Sequence, residues 1–264
     1  MRWTVLVALL ATACASAPAA PRVMSTSVHA RAQRVAPTDP GDLADRIHLR
    51  CGDDRCPEGV GLLVWADAGD RLQRCTASLI GPDLALTASH CLPRAARRDG
   101  ARCDGTWLTF AATDDRPAEW AACRGVLQAQ PVEMDDVLRT DLAVLRLARR
   151  VDREPLRPAF APIGQLSVVG VVAARPHPIY ESQHAISRRL CRVATPESAA
   201  ETFGPEAHRV GWLIECPSHP GNSGAPVVDA RGRIRAILHA GSAPIDGVGV
   251  MSRISGLPAA AAAP

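Results

Sequence analysis

Gly221-Asn222-Ser223-Gly224-Ala225-Pro226, followed at once by the apolar pair Val227-Val228, is the stretch on which the reading of this chain turns. A serine hydroxyl is a poor nucleophile until a base takes its proton, and acyl transfer also needs donors aimed at the developing oxyanion. The flanking glycines let the chain turn tightly, so the backbone N–H groups of Gly221 and Ser223 can converge on one point. Alone, such a turn is ordinary, and its meaning depends on what the rest of the chain offers as a base.

Upstream, Leu86-Thr87-Ala88-Ser89-His90-Cys91 ends an apolar strand in a histidine followed directly by a cysteine, which makes His90 the candidate base. Thr140-Asp141-Leu142-Ala143-Val144-Leu145 sets an acid at the start of an apolar strand, where a shielded carboxylate orients an imidazole and stabilises its protonated form. Asp135 and Asp136 lack the following strand and read as solvated loop acids. His29, His48, His177, His184, His208 and His219 have no spacing with acids or cysteines that suggests a metal site, and no metal ligand is expected. His219 is near enough to Ser223 in sequence to line a cleft, without a role of its own.

Around these segments the texture is all-β. From Gly59, short apolar runs of strand length alternate with turn residues: 61–66, 72–80, 84–89, 106–111 and 142–147. Arg149 to Pro162 carries three prolines among charges and reads as a connector. A second set of strands follows at 165–173, 185–193, 210–215, 225–229, 234–240 and 248–251. Two β-barrels in tandem, at about 59–148 and 163–258, is the economical architecture. Residues 18–58, rich in Pro, Ala, Arg and Asp, read as a flexible leader or propeptide, and 259–264 as a low-complexity tail.

Arg2 precedes an apolar run from Trp3 to Ala13 that is too short to span a bilayer, and small residues follow it. Residues 1–17 are therefore expected to be a signal peptide, with the product periplasmic or secreted and no transmembrane helix. Two fates stay open for Cys14: removal with the signal, or lipidation after cleavage in front of it. The net charge is +3, with Arg interleaved among Asp and Glu, so a solvated mixed surface is expected rather than a nucleic-acid or membrane patch. Aromatic residues are only 3%, which leaves Val, Leu, Ile and Ala to build the core.

In order, the three segments resemble the chymotrypsin-like serine peptidases, whose motifs take the forms T-A-x-H-C, D-[IL]-A-[VL]-L and G-[DN]-S-G-[GSA]-P. The order His, Asp, Ser separates that superfamily from subtilisin-like and α/β-hydrolase enzymes. The resemblance covers about residues 59–255. It implies two antiparallel Greek-key β-barrels with the active site in the cleft between them, and protein or peptide substrates. It also implies Ser223 as nucleophile, His90 as base and then acid, Asp141 as the orienting acid, and Gly221 and Ser223 N–H as the oxyanion hole. No cofactor is implied, and a monomer is expected. A catalytically inactive binding protein on the same fold is the alternative.

Nine cysteines less Cys14 leave eight, an even number that suits disulfides in an exported chain. Among about 105 possible pairings, the sequential set is the simplest: Cys51–Cys56, Cys75–Cys91, Cys103–Cys123 and Cys191–Cys216. Only Cys75–Cys91 has the family pattern behind it.

Three departures matter. Asn222 stands where animal digestive members carry an Asp that pairs with a freshly cut amino terminus, and the Ile-Val-Gly-Gly start of those members is missing. Activation through that ion pair is not expected, and the pattern is closer to bacterial glutamyl-endopeptidase-like members. Pro217 replaces the acid of trypsin-like pockets, which disfavours cleavage after Lys or Arg. Substrate-binding residues are expected at Ser218, His239 and Gly241. In glutamyl endopeptidases a Ser or Thr and a His at such places bind an acidic side chain. If the strand alignment shifts by one residue, His239 instead touches the triad acid, and a small or apolar preference results.

Overall fold

The computed structural model describes residues 40–52, 56–130, 138–160, 167–177, 179, 180, 182–241 and 247–253. The expected signal segment with Cys14, the leader up to residue 39 and the tail at 259–264 lie outside these residues. Among the described residues no helix is long and apolar enough to cross a membrane.

The chain enters through a short helix, α1 (Pro40–Arg46), and a strand, β1 (His48–Cys51). The first barrel then forms from β2 (Val60–Ala66), β3 (Leu72–Gly81), β4 (Leu84–Thr87), β5 (Thr106–Phe110), β6 (Glu119–Ala129) and β7 (Ala143–Leu147). These strands close antiparallel in the order β2-β3-β4-β7-β6-β5. β2 is buried along its whole length, which is why Val60-Gly-Leu-Leu-Val-Trp-Ala reads as a continuous apolar run instead of an alternating one.

The second barrel comprises β8 (Val168–Pro176), β9 (Gln183–Val193), β10 (Gly211–Ile214), β11 (Pro226–Val228), β12 (Ile234–Gly241) and β13 (Gly249–Arg253). Its strands run β9-β10-β13-β12-β11-β8, and the β8–β9 hairpin closes the circle. The all-β, two-barrel architecture read from the sequence is therefore present. Between β9 and β10 sits α2 (Pro196–Phe203), capped by Thr195, whose hydroxyl accepts from Ser198 N at 3.1 Å, with Pro196 at its start. Phe203 at its end stacks on Trp212 of β10, ring centroids 3.8 Å apart.

The connector is strapped to both barrels. Val151 N and Leu156 N donate to Pro82 O and Leu79 O of the first, while Ala159 N donates to Ile234 O of the second and Ile234 N donates back to Arg157 O. One apolar core runs from Leu62, Leu79, Leu108 and Leu145 across to Ile186, Ile234 and Ile237. Each such fully buried side chain contributes about 1.5–3 kcal/mol.

One expectation is corrected. The flexible leader does not extend to residue 58: α1 and β1 pack onto the barrels, with Leu43 and Ile47 buried in the core. β1 runs parallel to β9, Leu49 opposite His184, the one parallel pairing among the described strands. Two apolar residues one helical turn apart and a four-residue strand are too short for periodicity to show. β6 was likewise unread, because its register shifts at Cys123/Gly125 and again at Val126/Gln128 and breaks the alternation. The four disulfides join Cys51 to Cys56, Cys75 to Cys91, Cys103 to Cys123 and Cys191 to Cys216, the sequential set.

Candidate active site

β4 ends at Thr87, and the chain turns through a single 3-10 turn, Ser89–Cys91, that carries His90 into the groove between the barrels. One disulfide and three hydrogen bonds hold this turn and the residue after it. The Cys75–Cys91 disulfide ties it to β3, Trp65 Nε1 donates to Cys91 O at 2.9 Å, and Arg97 donates from Nη2 to His90 O (2.8 Å) and from Nε to Leu92 O (2.9 Å). Burial pushes the Arg97 guanidinium below its ordinary pKa, partly offset by the charge of Asp141.

Asp141, just before β7, is buried and grips His90 twice. Its Oδ1 accepts the His90 backbone N–H at 3.0 Å, and its Oδ2 pairs with the ring Nδ1. Burial raises this carboxyl's pKa. The charge of His90, its ring hydrogen bond, the charge of His239 and the His90 amide together outweigh burial and leave it below the ordinary value. The imidazole is thus held at its Nδ1 side, and His90 lines the groove.

On the opposite wall, Ser223 lies in the turn between β10 and β11. Gly221 sits at φ +94° and Gly224 at +81°, backbone that favours glycine. A Cβ on Gly224 would also lie 2.1 Å from Thr76 O and 2.3 Å from Thr87 Oγ1, so no larger residue fits against the first barrel. Thr76 of β3 stitches the two walls: its N–H donates to Ser223 O (2.8 Å), its hydroxyl donates to Gly221 O (2.8 Å), and the same hydroxyl accepts from Ala174 N (3.0 Å). The Asn222 side chain closes its own turn, Oδ1 accepting from His219 N at 3.0 Å.

His90, Gly221 and Ser223 line one cleft of about 220 Å³. The ligand atoms of Cys75, His90 and Cys91 fall within 4.8 Å of one another, but both sulfurs are spent in a disulfide and supply no thiolate for a metal.

The sequence model of a trypsin-like peptidase domain matches residues 75–237, a span that holds His90, Asp141, Gly221 and Ser223. The chain belongs to the trypsin-like peptidase family. A search of curated proteins finds no match. Solved structures share the fold at low identity. A structure titled GrC superposes with a TM-score of 0.60 at 16% identity, covering 75% of this chain and 90% of its own. HL collagenase gives 0.57 at 15% (75% and 89%), and neuropsin, a serine protease expressed in mouse brain, gives 0.56 at 15% (75% and 90%).

For this family member, the structure brings His90, Ser223 and Gly221 to one groove, with Asp141 buried against His90. Ser218 and Gly241 also meet, since a Cβ on Gly241 would fall 1.6 Å from Ser218 Oγ. His239 is buried on β12, and its charge helps to lower the Asp141 carboxyl. Thr76, Thr87, Arg97 and His184 were not singled out from the sequence. Thr76 and Arg97 act through backbone carbonyls, which leave no motif. His184 has no metal-site spacing in the sequence and draws no role from it, yet it is buried; its position inside the eleven-residue run of β9 is the available signal.

Proposed function

We propose that this chain is an exported serine endopeptidase that works through an acyl-enzyme on Ser223. The observation that carries the reading is the shared groove: a histidine gripped twice by a buried acid, opposite a serine held in a glycine-shaped turn. Ser223 Oγ attacks the scissile carbonyl carbon while His90 Nε2 takes its proton, and Asp141 stabilises the resulting imidazolium. The carbonyl electrons move onto oxygen, which the N–H groups of Gly221 and Ser223 receive, an arrangement worth about 10²–10³-fold in rate per donor. Collapse breaks the C–N bond, His90 returns the proton to the leaving amine, and water repeats the sequence to free the acyl group. Four disulfides favour an oxidising compartment, which supports export.

On the acyl side, an acidic preference and a kinship with glutamyl endopeptidases both need His239 in the pocket. Its action on Asp141 and the pressing of Ser218 Oγ against Gly241 favour a small uncharged residue before the scissile bond. Asn222, latched to His219, supports a turn that is formed without a freshly cut amino terminus.

Labelling the mature protein with a fluorophosphonate and locating the adduct by mass spectrometry tests the reading. Adduct on Ser223, abolished in Ser223→Ala together with a fall in peptide hydrolysis of at least about 10⁴-fold, is the expected result. A folded protein that takes no label would instead be a binding protein on this fold.

A further inference from the structure

The entry segment touches both barrels. Leu43 and Ile47 are buried in the core, and Arg46 holds Asp70, in the turn between β2 and β3, from Nη1 to Oδ1 (3.0 Å) and from Nη2 to the carbonyl (2.9 Å). β1 then lies along β9, with His48 N donating to Ser182 O and Gly52 N to Ile186 O, both at 2.7 Å. From His184 to Ile186 the other side of β9 is taken by β8. Among the described strands, β1 alone pairs with the remaining edge of β9 at that level, an edge that is otherwise a row of open backbone groups. The Cys51–Cys56 bridge fastens the end of β1 to the approach to β2.

From β1, two rows of paired residues lead to the Ser223 turn. In one, Leu49 stands opposite His184 and His184 opposite Pro176, and His184 and Pro176 both line the cleft. In the other, Cys51 stands opposite Ile186 and Ile186 opposite Ala174. The N–H of Ala174 donates to the Thr76 hydroxyl, which in turn donates to Gly221 O. Both rows reach Gly221, since a Cβ there would lie 3.3 Å from Ala174 O and 3.9 Å from Pro176 Cδ. β11 pairs with β8 only at Gly170 and Val171, so β9 is the strand that holds the end of β8 carrying Ala174 and Pro176. What steadies β9 at that level therefore steadies the turn that carries the nucleophile.

We propose that the entry segment, Pro40–Cys51, is a resident brace of the active enzyme that positions Gly221 through β9 and β8, and that its removal slows the reaction at Ser223. The proposal rests on the endopeptidase reading for its chemistry and on strand register for its route. A donor aimed at an oxyanion works only if it is in place before the charge forms. A strand end with a bare edge opens locally more often than one paired on both sides. The Cys51–Cys56 bridge adds a safeguard, because a chain cut between the two cysteines keeps the brace covalently attached. A propeptide, whose departure raises activity, behaves in the opposite way.

Releasing the segment after folding tests this. A specific protease site is placed between Cys51 and Cys56 in two proteins, one with the bridge and one carrying Cys51→Ala, Cys56→Ala and Leu43→Ala. From the second, the cut segment is separated by gel filtration. Release is expected to slow fluorophosphonate labelling of Ser223 about tenfold relative to the same protein uncut, a fraction of what one oxyanion donor supplies. It is also expected to speed amide hydrogen exchange at 173–175 and 184–186, while cutting the bridged protein changes neither. Labelling that is unchanged or faster on release overturns the brace, and unchanged exchange overturns the route through β9 and β8. A protein that takes no label in any form, yet exchanges faster on release, overturns the peptidase reading and leaves the route standing.

Discussion

Thr76 joins two barrels through a single hydroxyl, which accepts from Ala174 N and donates to Gly221 O. Valine has nearly the same shape and neither function, so Thr76→Val leaves a buried amide and a carbonyl without partners at a cost of about 1–3 kcal/mol. Because Gly221 N is one of the proposed oxyanion donors, we expect Thr76→Val to lower kcat more than it raises KM, with Thr76→Ser restoring most of the loss. Equal kinetics for Val and wild type would show that Gly221 is held by other means. The same scale explains what could be read from residues alone. His90, Asp141 and Ser223 each sit in a run whose neighbours announce them, whereas Thr76 and Arg97 act on carbonyls that every residue has. His239 lay one residue away from two different jobs, and only the register of β12 against the Ser223 turn, Gly224 N to Leu238 O and Leu238 N to Ala225 O, separates them.

Elements follow their patterns unevenly. Strands that stay in register, such as β2 and β8, are legible because their burial is continuous over an apolar run. β6 was not, since each bulge resets which face a side chain takes. α1 and β1 escaped notice because their contribution is tertiary: Leu43 and Ile47 gain stability from the barrels they touch and not from helix length. Leu43→Ala is accordingly expected to cost about 2–5 kcal/mol, as for a core leucine, measured by urea denaturation. A loss below about 0.5 kcal/mol, the usual range for a surface change, would mean that the entry segment rests on the barrels without supporting them.

Across the whole molecule, several buried or well-bonded groups titrate below their ordinary values. His184 is lowered to about 4 by burial and Arg74. Asp229 is lowered to about 2, because hydrogen bonds from Arg233, Arg231 and Arg235 outweigh burial, and Asp141 is lowered as well. The unfolded chain therefore binds more protons than the native one over these ranges, so stability is lost as the pH is lowered. The melting temperature is expected to decline from about pH 6.5 to 4 as His184 is forced to charge, and again from about 3.8 to 2 through Asp229. His184→Leu should flatten the upper decline alone, and an unchanged profile in that variant would assign the loss to other groups. The bridges add a different kind of order. Along the chain they close one after another, Cys51 to Cys56, Cys75 to Cys91, Cys103 to Cys123, Cys191 to Cys216, and no pair straddles another. A chain oxidised as it emerges, amino end first, meets each native partner before a competing thiol arrives. Vectorial emergence thus selects the native set without reshuffling, while refolding from the fully reduced, full-length chain must search all the alternatives at once.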